Sequence, residues 1–274
     1  MSKLTSLEEA ATLVGPGARI AFGGGGALMR RPMAFARALL RAEVRDLDVH
    51  QFLGGLETDL LIGGGRVRST NCAYLGLLEH GQAPCFQRAA REGAITVREY
   101  SEFSFMAALR AADMGLPFIP WKTPWGSDIA ADLGFAEIED PYSGARLLAI
   151  PAMRLDVAVL QVARADADGY VELPEEPDLV WDYDHLIARV ATMTIVCAEE
   201  IGSPRDPARV AVTGREVSHV VHCPRGAWPA GMHGCYRPDV EHVTGAYLPA
   251  AQAGGAALEE YLAHWAHGEE STDA

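Results

Sequence analysis

Cations are scarce in this sequence. Among 274 residues, 23 Lys and Arg face 37 Asp and Glu, a formal net charge of −14 with a pI near 5.0. A surface of that sign repels phosphate backbones and anionic membranes, so nucleic acid is excluded as a ligand class. No apolar run approaches the roughly 18 residues that a spanning helix needs. The opening MSKLTSLEEAATLVGPG lacks the basic-then-apolar pattern of a secretory signal, so a cytoplasmic protein is expected. The five cysteines (Cys72, Cys85, Cys197, Cys223 and Cys235) are odd in number and contain no C-x-x-C pair. That argues against a disulfide framework or a zinc ribbon, and the thiols are expected to be buried. The chain does have apolar material, at 49% of residues, which is enough for one large α/β domain and excludes intrinsic disorder.

Ser6-Leu7-Glu8-Glu9 reads as a capping box, with Leu7, Ala10, Ala11 and Val14 at helical spacing before Gly15-Pro16-Gly17 stops the helix. A short β-type run, Ala18 to Phe22, leads into four glycines, Gly23 to Gly26, and a helix from Pro32 to Ala42. Arg30, Arg31, Arg37 and Arg41 are expected around the start and outer side of that helix. Leu47 to Phe52 reads as a second strand, Ile95 to Tyr100 as another, and Phe103 to Met114 as a helix too apolar to face solvent on all sides. The prolines and tryptophans between Leu116 and Ser143 predict a long irregular stretch that forms a site or an interface. Leu147 to Ile150, Asp156 to Val162, Tyr170 to Leu173 and Thr192 to Cys197 read as strands, with a helix around Asp178 to Val190 and a last one at Ala256 to His267 before an acidic tail. This alternation predicts an α/β fold with an open, mostly parallel sheet flanked by helices. Residues 1–250 are expected to form the single domain, and 251–274 the C-terminal helix and tail.

The glycine run in IAFGGGGALMRRP is the strongest local signal. Residues without Cβ let the backbone turn sharply and approach a ligand, and free N–H groups before a helix favour negative charge. The alternative is a tight strand-to-helix turn that binds nothing. No Lys-Ser/Thr follows, so it is not a Walker A loop, and G-x-G-x-x-G fails because Leu28 stands sixth from Gly23. In VREYSEFSF, Glu99 and Glu102 fall near a strand end, where open α/β sheets place site residues. Glu102 lies in the turn itself and is the better base, although helix-start carboxylates are also common for electrostatic reasons alone. His219, His222, Cys223, His233 and Cys235 match no standard zinc spacing, and no G-x-S-x-G elbow supports Ser-His-Asp catalysis. Asp140 to Gly144 and Asp166 to Gly169 have turn composition. Trp181, Leu186 and Val190 read as a core stripe, and Pro174 to Asp178 as a solvated loop with a helix cap.

Taken in order, AFGGGGALMRRPMAFARALL, DLDVHQFLGG, REYSEFSFMAALRAADMGLPFIPWKTPWGSD, EDPYSGARLLAIPAMRLDVAVLQVARADADG and HCPRGAWPAGMHGCYRPDVEHV resemble the A (alpha) subunits of family I CoA-transferases, of the glutaconate CoA-transferase type and its actinobacterial steroid-degradation relatives. The resemblance runs from Leu4 to Pro249. It implies an open, mainly parallel sheet and a B-type partner subunit of the same general fold, in a heterodimer or heterotetramer. It also implies that a glutamate of the partner, in a Glu-x-Gly setting, attacks the acyl-CoA thioester. An acyl-glutamyl anhydride and then a glutamyl-CoA thioester follow, while the A-type chain supplies pocket walls and oxyanion donors. Glu79-His80-Gly81 is nominally Glu-x-Gly, but in the A-type register it lies between the second and third strands, without the B-type glycine signature. Two positions depart from the family pattern: Tyr170 replaces an Asn, and Gly25 replaces an aromatic. The steroid-degradation branch implies a different chemistry, hydrolytic opening of a carbon ring of a CoA thioester, with a glutamate that maps to Glu102. The resemblance thus implies Glu102 as the catalytic residue and Gly23, Gly24, Gly25, Gly26, Arg30 and Arg31 as substrate-binding residues, with no resident cofactor or metal and a coenzyme A thioester as substrate. A non-catalytic stabilising subunit is the expectation from a different class.

Overall fold

A computed structural model describes residues 2–122, 126–173 and 181–267. The acidic run at Pro174 to Asp178 and the acidic tail after His267 lie outside the described residues, as does the side chain of Trp181. Strand β1 (Leu4–Thr5) precedes helix α1 (Leu7–Thr12). The capping box is formed as its spacing predicts: Glu9 N–H donates to Ser6 Oγ at 3.2 Å and Ser6 N–H donates to the Glu9 carboxylate at 3.1 Å. Then come β2 (Arg19–Phe22), α2 (Met33–Arg41), β3 (Leu47–Gly54), α3 (Leu56–Gly63), β4 (Val67–Leu75), α4 (Pro84–Arg91), β5 (Thr96–Glu99) and α5 (Glu102–Asp113). From β2 to β5, each strand pairs in parallel with the next. The units α3 and β4 carry no clear sequence period. The reason is that α3 buries Glu57, Thr58 and Asp59 with its leucines, and β4 buries Ser69, Thr70 and Asn71, so polarity does not mark the exposed face.

The stretch expected to be irregular instead folds as β6 (Phe118–Trp121), α6 (Asp128–Asp132), β7 (Ala136–Glu139) and β8 (Arg146–Pro151). These strands form a separate antiparallel sheet in the order β6-β8-β7, which also takes the Leu147 to Ile150 strand out of the main sheet. Pro120 and Pro151 belong to these short strands, and a three-stranded local ladder accommodates proline more readily than a central parallel one. The chain then returns through β9 (Leu155–Ala165), β10 (Val171–Glu172), α7 (Trp181–Val190), β11 (Ala191–Ile201), β12 (Val210–Val212) and β13 (His219–His222), and ends in α8 (Val240–His242), α9 (Leu248–Ala253) and α10 (Gly255–His267).

Among the described residues the main sheet has ten strands, with the parallel path β1-β13-β11-β9-β2-β3-β4-β5, β10 attached antiparallel to β9 and β12 antiparallel to β10. From β2 the chain runs outward to β5 and returns on the other side at β9, so the direction of winding reverses between β2 and β9. Open parallel sheets bind ligands at the carboxyl ends of the strands at that reversal. One face buries α1, α2 and α3 together with the C-terminal helices, where Leu258, Leu262 and Trp265 of α10 enter the same core. The other face buries α5, α7 and the small sheet. Among the described residues, no helix is long and apolar enough to cross a membrane.

Candidate active site

The glycine segment leaves β2 at the reversal point, and its backbone donors are largely spent on the fold. Gly23 N–H donates to Val159 O of β9 at 2.9 Å, Gly24 N–H to Asp184 Oδ1 of α7 at 2.9 Å, and Gly25 N–H to Met29 O at 3.1 Å. Only the Gly26 N–H has no acceptor among the described residues. The free N–H groups expected of this run thus come down to one. Packing explains two of the glycines: a Cβ on Gly24, whose φ is +117°, would stand 2.7 Å from Arg30 O, and one on Gly23 would stand 2.8 Å from Leu160 Cδ2. Six residues also separate the run from the first residue of α2, so the run does not cap that helix.

Arg30 and Arg31 are likewise not outward-facing. They are 1% and 0% exposed, and Arg37 is 6% exposed beside the Trp265 ring. Arg30 is paired with the Asp184 carboxylate, while Arg31 is paired with Glu57 at 3.3 Å and donates to Gly26 O. A charge taken out of water has to be matched, and these two arginines match the carboxylates of α7 and α3. Within the chain they brace the glycine segment from behind.

A second segment meets the first at the same edge. After β13, residues 223–238 pack against the chain leaving the glycines: Gly231 N–H donates to Leu28 O and Arg30 N–H to Gly231 O, each at 2.8 Å, and Ala34 N–H donates to Gly226 O at 2.8 Å. Two motifs about two hundred residues apart in sequence thus form one wall. Behind it, at the end of β11, stands Glu199. Its Oε1 accepts from Gln161 Nε2 at 2.9 Å and from the Tyr236 hydroxyl at 2.6 Å, and its Oε2 accepts from Arg225 N–H at 2.5 Å. Burial pushes the Glu199 carboxyl above the ordinary carboxylate value, against the pull of those donors. An open cavity of about 840 Å³ is lined by Glu199, Arg164, Arg205, Arg209, His233 and Cys235, among others. A smaller one of about 340 Å³ shares the His233–Cys235 turn and reaches Met29.

Sequence reasoning missed Glu199 and Tyr236. The signal for Glu199 was available, since Glu199 stands near the end of the strand that carries the apolar run Thr192 to Cys197, as Glu99 stands at the end of its own. Tyr236 had no local mark.

Glu102 is the first residue of α5, with Ser101 as the cap. It is exposed, and no described residue bonds or ion-pairs with its carboxylate. Helix phase keeps the neighbouring aromatics from covering it: Phe105 is 0% exposed and points into the core, whereas Phe103 is 65% exposed and stacks on Trp121 at 6.3 Å. Three strand intervals separate β5 from β2, about 14 Å at the usual spacing of about 4.8 Å, so Glu102 shares the edge but not the wall. Glu79 is exposed on a short turn after β4, next to Leu78, whose side chain approaches the Gly26 position. Four of the cysteines are buried, but Cys235 is exposed on the turn, contrary to the expectation for it. Burial pushes the Cys72 and Cys85 thiols up to about 12. Among the described residues, no group of three or more His, Cys, Asp or Glu is placed to hold a metal ion.

A parallel α/β sheet whose winding reverses under a glycine segment, with cavities along the same edge, is the architecture of the open-sheet α/β class, which places its ligands at that reversal. The chain belongs to the Coenzyme A transferase family, whose model matches residues 4–222. It is 31% identical over 265 residues to the A subunit of glutaconate CoA-transferase from Acidaminococcus fermentans, covering 87% of this chain and 80% of the relative. The crystal structure of glutaconate coenzyme A-transferase from that organism superposes with a TM-score of 0.90 at 28% identity, over 98% of this chain and 90% of that one. The cholesterol ring-cleaving hydrolase IpdA subunit of Mycobacterium tuberculosis is 31% identical over 236 residues, covering 82% of this chain and 80% of the relative. A variant of the decarboxylase AibA/AibB superposes with a TM-score of 0.86 at 33% identity, over 96% of this chain and 98% of that one. One fold therefore carries relatives named for transfer, hydrolysis and decarboxylation, and chemistry has to be argued from side chains.

Proposed function

We propose that this chain is the A-type subunit of a heteromeric enzyme that acts on acyl-CoA thioesters and transfers CoA between carboxylic acids. A B-type subunit completes the site, and the CoA thioester is a substrate beside which no resident cofactor is needed. The observation that carries this reading is the wall at the β2–β9 reversal. Its carboxylates are already committed, Asp184 to Arg30 and Gly24, Glu57 to Arg31. Transfer by the covalent route needs a carboxylate oxygen that can attack the thioester carbon as the C–S bond breaks and CoA leaves as thiolate. The thiolate then adds to the resulting anhydride at the glutamyl carbonyl and releases the first acid. A carboxylate locked in a buried ion pair is not free to do this, and the resemblance to the CoA-transferase A subunits implies that the attacking glutamate is the partner's. This chain supplies a stiff wall and one backbone donor, Gly26 N–H, for the oxygen on which charge develops.

Hydrolytic ring opening with Glu102 as the base is the second reading. It is favoured by the exposed, unbonded carboxylate at the head of α5 and by the likeness to the IpdA subunit. One experiment separates the two. The chain is purified alone and with its co-expressed B-type neighbour, and acyl-CoA exchange, acyl-CoA hydrolysis and borohydride trapping are measured. Transfer predicts no exchange by the chain alone, exchange by the pair, and reductive modification of the partner's glutamate. Hydrolysis predicts no trapping and a loss of about 100-fold in turnover for Glu102→Gln, the usual scale for removing a general base. Full exchange by the isolated chain sinks the two-subunit reading, and assembly without any turnover leaves a stabilising subunit.

A further inference from the structure

We infer that Glu199 is a positioning residue for the acyl-CoA site, holding the His233–Tyr236 turn and the Arg225 corner against β9 so that the wall beside the glycine segment keeps one shape. The inference rests on the acyl-CoA reading for its activity readout, but its geometry stands apart from that reading. Three segments converge on this one carboxylate: β9 through Gln161 Nε2, the corner after β13 through Arg225 N–H, and the turn through the Tyr236 hydroxyl. All three groups donate, and only a group that accepts at both oxygens satisfies them together.

The corner needs such a hold. Arg225 has a φ of +53°, a left-handed conformation that costs a non-glycine residue energy, and its backbone N–H is the group that Glu199 takes. The turn is joined to the corner as well, since the Tyr236 hydroxyl accepts from Ala227 N–H at 3.1 Å and the Arg225 guanidinium lies 5.3 Å from the Tyr236 ring centre. Between corner and turn lies Gly231, which bonds Leu28 and Arg30 and so ties the network to the glycine segment. Glu199 also borders the larger cavity, and Tyr236 the smaller one, so their hydrogen bond spans the partition between the two. Loosening it moves the turn and changes both cavities together.

Glu199→Gln retains the shape and presents an amide N–H where an acceptor stood. Tyr236→Phe removes one donor and leaves the carboxylate and the aromatic ring in place. In the assembled pair, both variants are expected to lower kcat for the acyl-CoA reaction with KM changed less, by about 10- to 100-fold for Glu199→Gln, the scale on which misplacing a positioned group acts. A second readout needs no activity. Cys235 is the exposed thiol and sits on the turn, so its alkylation by iodoacetamide in the full chain reports the turn directly, and an acceleration of about fivefold or more is expected in both variants. If Glu199→Gln does not fold, Tyr236→Phe carries both readouts. Wild-type alkylation in the folded variants overturns the inference, and so does wild-type kcat in a pair that turns over acyl-CoA. A wild-type pair without acyl-CoA turnover overturns the functional reading instead, and alkylation alone then decides whether Glu199 holds the turn.

Discussion

The carboxyl edge of the sheet is built in two contrasting ways. Around β2, β9 and β11 the polar groups serve the fold: three glycine N–H groups, two arginines and the carboxylates of Asp184, Glu57 and Glu199 all have partners inside the chain. Around β5, α5 and the small sheet more of the surface is left exposed. Every residue of β5 is exposed, Glu102 is unbonded, and Phe103, Phe118 and Met114 present apolar surface to solvent. The first region is preorganised, with its interaction energy already used to set geometry. The second keeps the Glu102 carboxylate and exposed apolar area at its surface.

Breaking the closed region is expected to cost most. Arg30→Ala leaves the Asp184 carboxylate buried without its cation, and a loss of about 3–5 kcal/mol is expected in denaturant unfolding. Gly24→Ala forces a side chain into a left-handed backbone 2.7 Å from Arg30 O, for which about 2–3 kcal/mol is expected by the same measurement.

Next comes Tyr247→Phe, under the C-terminal helices. The Tyr247 hydroxyl donates to Asp59, which also accepts from Cys85 and Phe86 N–H groups at the start of α4. Burial raises Asp59 from 3.8 to about 6. Its protonation therefore favours the folded chain, and the stability this adds is fully present below 3.8 and lost as pH rises through about 6. Removing the hydroxyl that steadies the ionised form should cost about 1–2 kcal/mol at pH 8 and clearly less at pH 5, read from unfolding curves at the two values. An equal cost at both would place the Asp59 titration elsewhere.

The open region should behave in the opposite way. Phe103→Ala is expected to weaken association with the B-type partner by about 1–3 kcal/mol in a binding titration and to leave the stability of the chain unchanged. Glu102→Gln should change stability by less than about 0.5 kcal/mol, whatever it does to turnover. If Glu102→Gln instead destabilised the chain as strongly as Gly24→Ala, the division between the two regions would fail.

Much of the architecture was legible in the residues. The Ser6 capping box, the strand before Gly23, the helix after Pro32 and the strands at Asp156 and Thr192 all announce themselves within a few residues, because helix caps and apolar periods are local properties. The small sheet was not legible, since its short strands are mostly exposed and carry prolines, and their pairing, not their period, makes them strands. The candidate site was legible by half. Glu102 and the glycines stand at the strand ends that the α/β alternation predicts, but whether a side chain there faces solvent or the interior depends on what lies opposite.

The sequence alone determined the α/β class, the order of most elements and, through five separated motifs, the family, because these depend on local geometry and on residues read one after another. Only the tertiary structure decided that Arg30 and Arg31 are interior braces, that Glu102 stands open and that Glu199 gathers three segments. Arg30 finds Asp184 at a separation of 154 residues, and Glu199 finds Gln161 and Tyr236 at separations of 38 and 37. Charge and hydrogen-bond partners are chosen by distance in space and by exclusion of water, and neither is written into the spacing of residues along the chain.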